Sequence, residues 1–463
     1  MEKGDHNSFY HMMLAFVIPV TIQSLITSSL NMVDSVMVGQ LGESSIAAVG
    51  IANKYTTILI IMLQGFGSGA AIFTAQYWGK KDMTGIKHIL LLTFGIMSLF
   101  SLLFMGTTLV FSHEWIALFS NDPAVIKQGA SFIQILSYSY FFTAATILFS
   151  GVLASVGQVK VPMYGSVFAL LLNTVLNYLL IGGNLGLPAL GVEGAAIATV
   201  VSRFVQCTVL FWLVWHQQLF SIKRSMFKAS WRGPLKRDFF RIATPSILNH
   251  ITWTLGDVTY FWIYASMGTD ETAAVSLVDP LIFIFIALFS GISQAAATII
   301  GNSIGAGEER SAQAYARRFL SITTKMAILS SVGIVILSSV FIDIYRVSPA
   351  VATYAKDVLF VYAIIFVAKM LNMVNNIGIL RAGGDTRFVF YVDTIGVWAL
   401  GLPLAAVGAY LQLPIYAVYG LANVHECARA IFGVKRTLSG KWIRNVMVDT
   451  NARGGAWHER DVR

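Results

Sequence analysis

Four residues have the types and spacing to handle an ion: Asp34, Asn173, Asn177 and Thr199. Asp34 sits in LNMVDSVMVG, about two helical turns before a turn at Gly42. Asn177 and Asn173 lie about one and two turns before a turn at Gly182, and their spacing of four puts both amides on one helix face. Thr199 follows Gly194 by more than a turn. Each belongs to a stretch apolar enough to span a membrane, so oxygen-bearing side chains from three helices converge at one depth. A short aspartate there cannot reach the headgroups and must be paired, protonated or ion-bound. Two chemistries fit. Asp34 can take up a proton on one side and release it on the other. Alternatively, Asp34, Asn173 and Asn177 can cage a hard cation such as sodium, by the logic of oxygen-ligand metal sites. A hydrogen-bond network that only joins helices is the plain alternative.

A second set of polar residues lies further along, at positions related to the first by a repeat. Pro19, Gly42, Gly65, Gly79, Pro188, Gly194 and Arg203 recur 226 residues later as Pro245, Gly268, Gly291, Gly305, Pro414, Gly420 and Arg429. The mate of Asp34 is Tyr260, whereas Asn31 maps to Asp257 and Asn53 to Asp279. Asp257 and Asp279 are candidates for an auxiliary or cation-binding site, unless Lys369 neutralises one of them. Aromatic faces attract organic cations, which makes Tyr55, Phe66, Tyr140, Trp253 and Tyr260 candidate cavity-lining residues; packing against lipid or protein is the bland reading. Lys54, Arg203, Lys325, Lys369 and Arg429 are the basic residues read as lying within spans. Arg203 and Arg429 are read as structural, reaching headgroups or a carbonyl. His250 is read as a hydrogen-bonded core residue.

The elements that must position these residues follow from composition. Hydrophobic residues make up 56% of the 463 positions and charged residues only 12%, a balance that a water-facing surface does not tolerate. Twelve apolar stretches between residues 9 and 435 predict twelve membrane helices, six in each half. The expected fold is an all-α membrane protein with two pseudo-symmetric six-helix bundles. It divides into a first lobe at 1–219, a linker at 220–237, a second lobe at 238–438 and a tail at 439–463. Lys and Arg concentrate on one set of turns, above all in Lys223, Arg224, Lys228, Arg232, Lys236, Arg237 and Arg241, while the alternate turns hold few, Arg346 and Lys356 among them. Positive residues stay inside, so a multi-pass protein of the cell (inner) membrane with both termini cytoplasmic is expected. This bias accounts for the net charge of +9 without a nucleic-acid partner. The first helix serves as the insertion signal, since residues 1–10 carry no cleavage pattern.

Enzymatic readings find little support. Cys207 and Cys427 are too few for a disulfide framework or a metal site, and no phosphate loop, zinc spacing or nucleophile elbow occurs. No cofactor is expected beyond sodium as a coupling ion.

The stretches VIPVTIQSLITSSLNMVDSVMVGQLGESSIAAVGIAN, NTVLNYLLIGGNLGLPALGVEGAAIATVVSR and ILRAGGDTR resemble the multidrug and toxic compound extrusion (MATE) family of secondary transporters. The resemblance covers about residues 8 to 438. It implies two six-helix bundles that export organic cations or drugs in exchange for protons or sodium by alternating access. It also implies that Asp34 and Asn173 form the first-lobe coupling site and that Thr199 is the sixth-helix hydroxyl. The family often has an aspartate where this chain has Asn177, and this chain lacks the tenth-helix aspartate of a second-lobe site, reading Met370, Leu371 and Asn372. The expected partners are small organic cations, protons or sodium, and membrane lipid, with the protein a monomer. A flippase of an amphiphilic or lipid-linked metabolite is the alternative on the same scaffold. A membrane-embedded enzyme is the remaining class.

Overall fold

The computed structural model describes residues 3–216, 226, 230–231, 235–345 and 347–447, without the side chains of 3–8, 30–33, 35 and 216. Most of the predicted linker at 220–237, with Lys223, Arg224, Lys228 and Arg232, lies outside the described residues, as do Arg346, the Asn31 side chain and the tail from 448 onward. Every regular element described is helical: α1 (Lys3–Gly39), α2 (Glu43–Gly79), α3 (Met83–Ala117), α4 (Pro123–Ser137), α5 (Ser139–Ser155), α6 (Lys160–Ile181) and α7 (Gly191–His216) in the first half. The second half contains α8 (Leu235–Met267), α9 (Thr269–Gly305), α10 (Glu309–Asp343), α11 (Pro349–Asn372), α12 (Thr386–Ile395), α13 (Leu402–Tyr410) and α14 (Ile415–Leu438). Wide π-helical turns at Met373–Leu380 and Gly396–Gly401 continue α11 and join α12 to α13.

Among the described residues nine helical segments are long and apolar enough to cross a membrane, or ten if α4 and α5 form one span. These two are bent by 50°, so the fourth predicted span is broken. The break follows from Ser137, Tyr138 and Ser139: both serine hydroxyls donate to carbonyls three residues back, Gln134 O at 2.6 Å and Leu136 O at 2.7 Å, and compete with the backbone amides there. Two predicted spans, α8 and α14, fall short of that apolar test. The cause is Asn249, His250, Thr252 and Asp257 on α8, and Asn423, His425, Glu426 and Arg429 on α14.

The backbone repeats with the sequence. Positive φ recurs 226 residues apart at Gly42 and Gly268 (107° and 159°), Lys81 and Gly307 (60° and 81°), and Gly186 and Gln412 (84° and 54°). The turn geometry is shared even where glycine is not.

The chain divides into two compact units. One comprises Ile22–Trp78 and Asp82–Phe240; the other comprises Arg241–Gly455 together with Met1–Thr21 and Gly79–Lys81. In the first, α6 packs on α7 and α3 packs on both α4 and α5. Its buried polar joints include Thr74 with Ser155 at 2.7 Å and Tyr55 with Thr108 at 3.0 Å. In the second, α10 and α14 pack on α11, and the leading part of α1 docks by stacking Phe9 on Tyr315 with centroids 5.5 Å apart. The small-residue run at 291–297 makes this docking possible: a Cβ on Gly291 would lie 2.6 Å from the Val17 carbonyl oxygen. Pro280 lies inside α9.

Candidate ion-coupling site

The first unit brings the four candidate residues together. α1 carries Asp34, α6 carries Asn173 and Asn177 on one face, and α7 carries Thr199. Asn177 Nδ2 donates to Asp34 Oδ1 at 2.5 Å and to Asn173 Oδ1 at 2.9 Å; Asn173 Nδ2 in turn points at Thr199 Oγ1, 3.4 Å away. Thr199 returns its own proton to the Ala195 carbonyl at 3.0 Å. Both asparagines are buried, and Asn177 Oδ1 has no partner among the described residues. The result is one carboxylate at the end of a chain of neutral dipoles, with an idle buried acceptor beside it. Such a group can accept a proton donor or a cation, and leaving it unsatisfied is costly.

Arg203 is half-buried on α7, one turn beyond Thr199. Its guanidinium donates to Gln206 Oε1 at 3.0 Å, and Gln206 Nε2 reaches Ser166 Oγ at 3.3 Å. These groups line a partly open cleft of about 360 Å³, whose wall also includes Thr27, Asn173, Thr199 and Ser202.

The second unit is built differently around the matching positions. Tyr260, in the place of Asp34, stacks on His425, in the place of Thr199, with centroids 6.3 Å apart and planes at 10°. Arg429, the mate of Arg203, donates from Nη2 to Asp393 Oδ1 at 2.7 Å and from Nη1 to Glu426 Oε2 at 3.0 Å. Around this core, Asn376 Nδ2 donates to Asp393 Oδ1 at 3.0 Å and Asn249 Nδ2 to Asp393 Oδ2 at 2.9 Å. Arg381 Nη2 reaches Asn249 Oδ1 at 2.5 Å, and Asn372 Nδ2 donates to Glu426 Oε2 at 2.7 Å. Two arginines and two carboxylates thus form a charge-balanced cluster joining α8, α11 and its π-helical extension, α12 and α14.

Sequence reasoning missed much of this cluster. Arg381 is 3% exposed inside its unit and was not singled out. Asp393 and Glu426 were not singled out at all. Their signal was present: Glu426 precedes Arg429 by three residues, the spacing of an ion pair on one helix face.

Asp257 and Asp279 are both exposed on their unit and near enough to act on one another; Lys369 acts on Asp279 without a direct ion pair, its ammonium lying 5.5 Å from the Tyr362 ring centroid. Tyr55, Phe66 and Tyr140 are buried among side chains of their own unit. Tyr55 stacks on Phe104, Phe66 packs near Phe100 and Phe240, and Tyr140 bonds to Thr56 at 3.2 Å with its ring 1% exposed. Trp253 is 52% exposed and, with Asn249, Thr252 and Asp393, borders a small cleft of about 150 Å³. His250 faces Arg381 across 3.5 Å, as a core residue would. Cys427 is exposed and Cys207 half-buried.

Comparison with known proteins follows the duplication. The sequence profile of the MatE family matches twice, at residues 19–179 and 245–407, so that both matches begin at the repeated proline. The chain is 25% identical over 432 residues to the transporter YisQ of Bacillus subtilis, itself uncharacterized, covering 93% of this chain and 94% of that one. It is 24% identical over 396 residues to the multidrug resistance protein NorM of Burkholderia vietnamiensis, covering 83% and 84%. Among solved structures, a mutant of the Vibrio cholerae MATE transporter VcmN superposes with a TM-score of 0.85 at 18% identity, over 96% and 99% of the two chains. A MOP superfamily transporter from Pyrococcus furiosus gives 0.80 at 18% identity, over 93% and 96%.

Proposed function

From the fact that this chain belongs to the MatE family of multi-pass membrane transporters, we propose that it is an antiporter exporting organic cations or drugs in exchange for a monovalent cation bound at Asp34. One observation carries the reading: a carboxylate held by the buried neutral amide of Asn177 on α6, whose own oxygen has no partner among the described residues. Asp34 binds the coupling ion from one side of the membrane and yields it to the other, while Asn177, Asn173 and Thr199 orient it and share its charge. One charge moving through 100 mV supplies about 2.3 kcal/mol, enough for a roughly fiftyfold gradient of a neutral drug, whereas a one-for-one exchange against a monovalent organic cation moves no net charge and draws on the concentration gradient of the coupling ion alone.

The proposal includes twelve spans in two groups of six. α8 and α14 are counted because Asn249 of α8 and Arg429 of α14 are bonded within the cluster around Asp393. The basic turns support a cell-membrane protein with both termini on the cytoplasmic side. Asp257 and Asp279 are proposed as an auxiliary site for the organic cation, in keeping with their exposure.

The test is efflux of ethidium from proteoliposomes under an imposed pH gradient and then an imposed sodium gradient. Wild type should respond to one of them. Asp34→Asn should abolish that response while the protein keeps its elution profile in detergent. Gradient-driven efflux retained by Asp34→Asn would remove Asp34 from the mechanism.

A further inference from the structure

The stretch ILRAGGDTR makes the turn between the π-helical extension of α11 and the start of α12, and neither the ion site nor the charge cluster accounts for its glycines. The first half holds the same turn in VLASVGQVK, with Gly157 matching Gly384. Both glycines have positive φ, 89° and 75°. The amides close the same rings: Gly157 to Ala154 O and Gln158 to Leu153 O in one copy, Gly384 to Arg381 O and Asp385 to Leu380 O in the other. What flanks the turn differs. Val156 and Gln158 stand where the second half has Gly383 and Asp385.

Gly383 and Asp385 receive the chain that follows α14. Residues 439–447 turn back at Gly440, where φ is 70°, and lay a fully buried Trp442 on the turn. A Cβ on Gly383 would overlap the Trp442 ring, and one on Gly384 would lie 2.9 Å from Val446. A valine at the first of these places, as in the other copy, leaves no berth for an indole. The Arg444 amide donates to the Gly383 carbonyl at 3.0 Å. Asp385, itself buried, is held by Arg436 at the end of α14, 2.7 Å away, and by Arg444 of the returning segment, 3.2 Å away. Trp442 Nε1 is shared between Thr437 O at 2.9 Å and Gln313 Oε1 at 3.2 Å, which ties in α10.

The contact continues inward. Thr437 Oγ1 donates to Asn375 Oδ1 at 2.5 Å, Asn375 Nδ2 to Asn376 Oδ1 at 3.3 Å, and Asn376 Nδ2 to Asp393 Oδ1 at 3.0 Å. Gly433 gives these amides room, since a Cβ there would lie 2.7 Å from Asn375 Nδ2. An unbroken line of hydrogen bonds thus runs from Trp442 and Thr437 through the π-helical turn to the charge cluster. We propose that residues 439–447 are a strap that fixes the α11–α12 turn and, through Asn375 and Asn376, the geometry of the cluster, so that the end of the chain controls the motion of the second unit. The strap acts whichever residue binds the coupling ion.

Hydrogen exchange of the detergent-solubilised protein, read by mass spectrometry, and ethidium efflux from proteoliposomes test this. In Trp442→Ala, and in a chain ending at Ser439, the amides of 373–385 should exchange about tenfold faster or more, while those of α6 and α7 stay as in wild type. Efflux should slow by a similar factor. A chain ending at Met447 keeps the strap and should match wild type in both. Asp385→Asn, which keeps the turn and removes both ion pairs, should accelerate the same amides to a smaller extent; it decides the matter if the elution profile shows that Trp442→Ala does not fold. Unchanged exchange at 373–385 in a folded variant, or exchange raised equally in α6 and α7, would overturn the proposal. So would wild-type efflux beside accelerated exchange. The exchange measurement stands whether or not ethidium is a substrate, so its failure and that of the transport reading are told apart.

Discussion

Asn177 is the joint of the candidate coupling site, because its single amide nitrogen serves both Asp34 and Asn173. Asn177→Ala removes both bonds and leaves a buried carboxylate oxygen and an amide oxygen unmatched, at a cost of about 1–3 kcal/mol. Initial rates of coupled ethidium efflux should fall about tenfold, a loss that unchanged rates would contradict. The grouping was legible because depth below a turn can be counted in residues, and because an aspartate in an apolar stretch demands a partner. Asp393 was hidden by the same arithmetic. It lies six residues after Arg387, close enough to a basic turn to pass for a cytoplasmic flank. Only the fold brings it to Arg429, 36 residues away in sequence.

At the scale of helices, the charge-balanced cluster explains the irregularities of the second unit. The π-helical turns at Met373–Leu380 and Gly396–Gly401 flank it, and wide turns re-aim side chains that a regular helix would carry elsewhere. The first places Asn376 against Asp393, while Gly396 leaves room for the Arg429 stem, which a Cβ there would meet at 2.8 Å. Removing one partner of a buried pair costs about 3–5 kcal/mol because the other charge is stranded. Arg429→Met strands two carboxylates and Asp393→Asn only part of one arginine's pairing. Thermal unfolding in detergent should therefore rank Arg429→Met as the less stable, and the reverse order would mean that Glu426 carries no charge. Sequence periodicity could find α8 and α14 but not this cluster, since helix pairing is a tertiary fact.

For the whole molecule, the duplication is the most legible feature, and it survives in backbone signs where side chains have diverged. Lys81 and Gln412 hold positive φ at positions whose mates are Gly307 and Gly186. Left-handed geometry costs a side chain roughly 1 kcal/mol, partly offset by the greater unfolded-state freedom of glycine. Lys81→Gly and Gln412→Gly should therefore be neutral or stabilising by up to about 1 kcal/mol in thermal unfolding, whereas the same change in mid-helix would destabilise. What the duplication did not reveal is that the leading part of α1 groups with the second half. Its groove depends on Gly291, and Gly291→Ala, which must push the Val17 carbonyl aside, should cost about 1–3 kcal/mol. This docking also sets an order of events during synthesis. Val17 leaves the ribosome some 270 residues before Gly291, which at 5–20 residues per second is on the order of tens of seconds. The α1 leading segment must wait in the bilayer for its groove to be made, so the second unit closes last, around a piece of chain that was translated first.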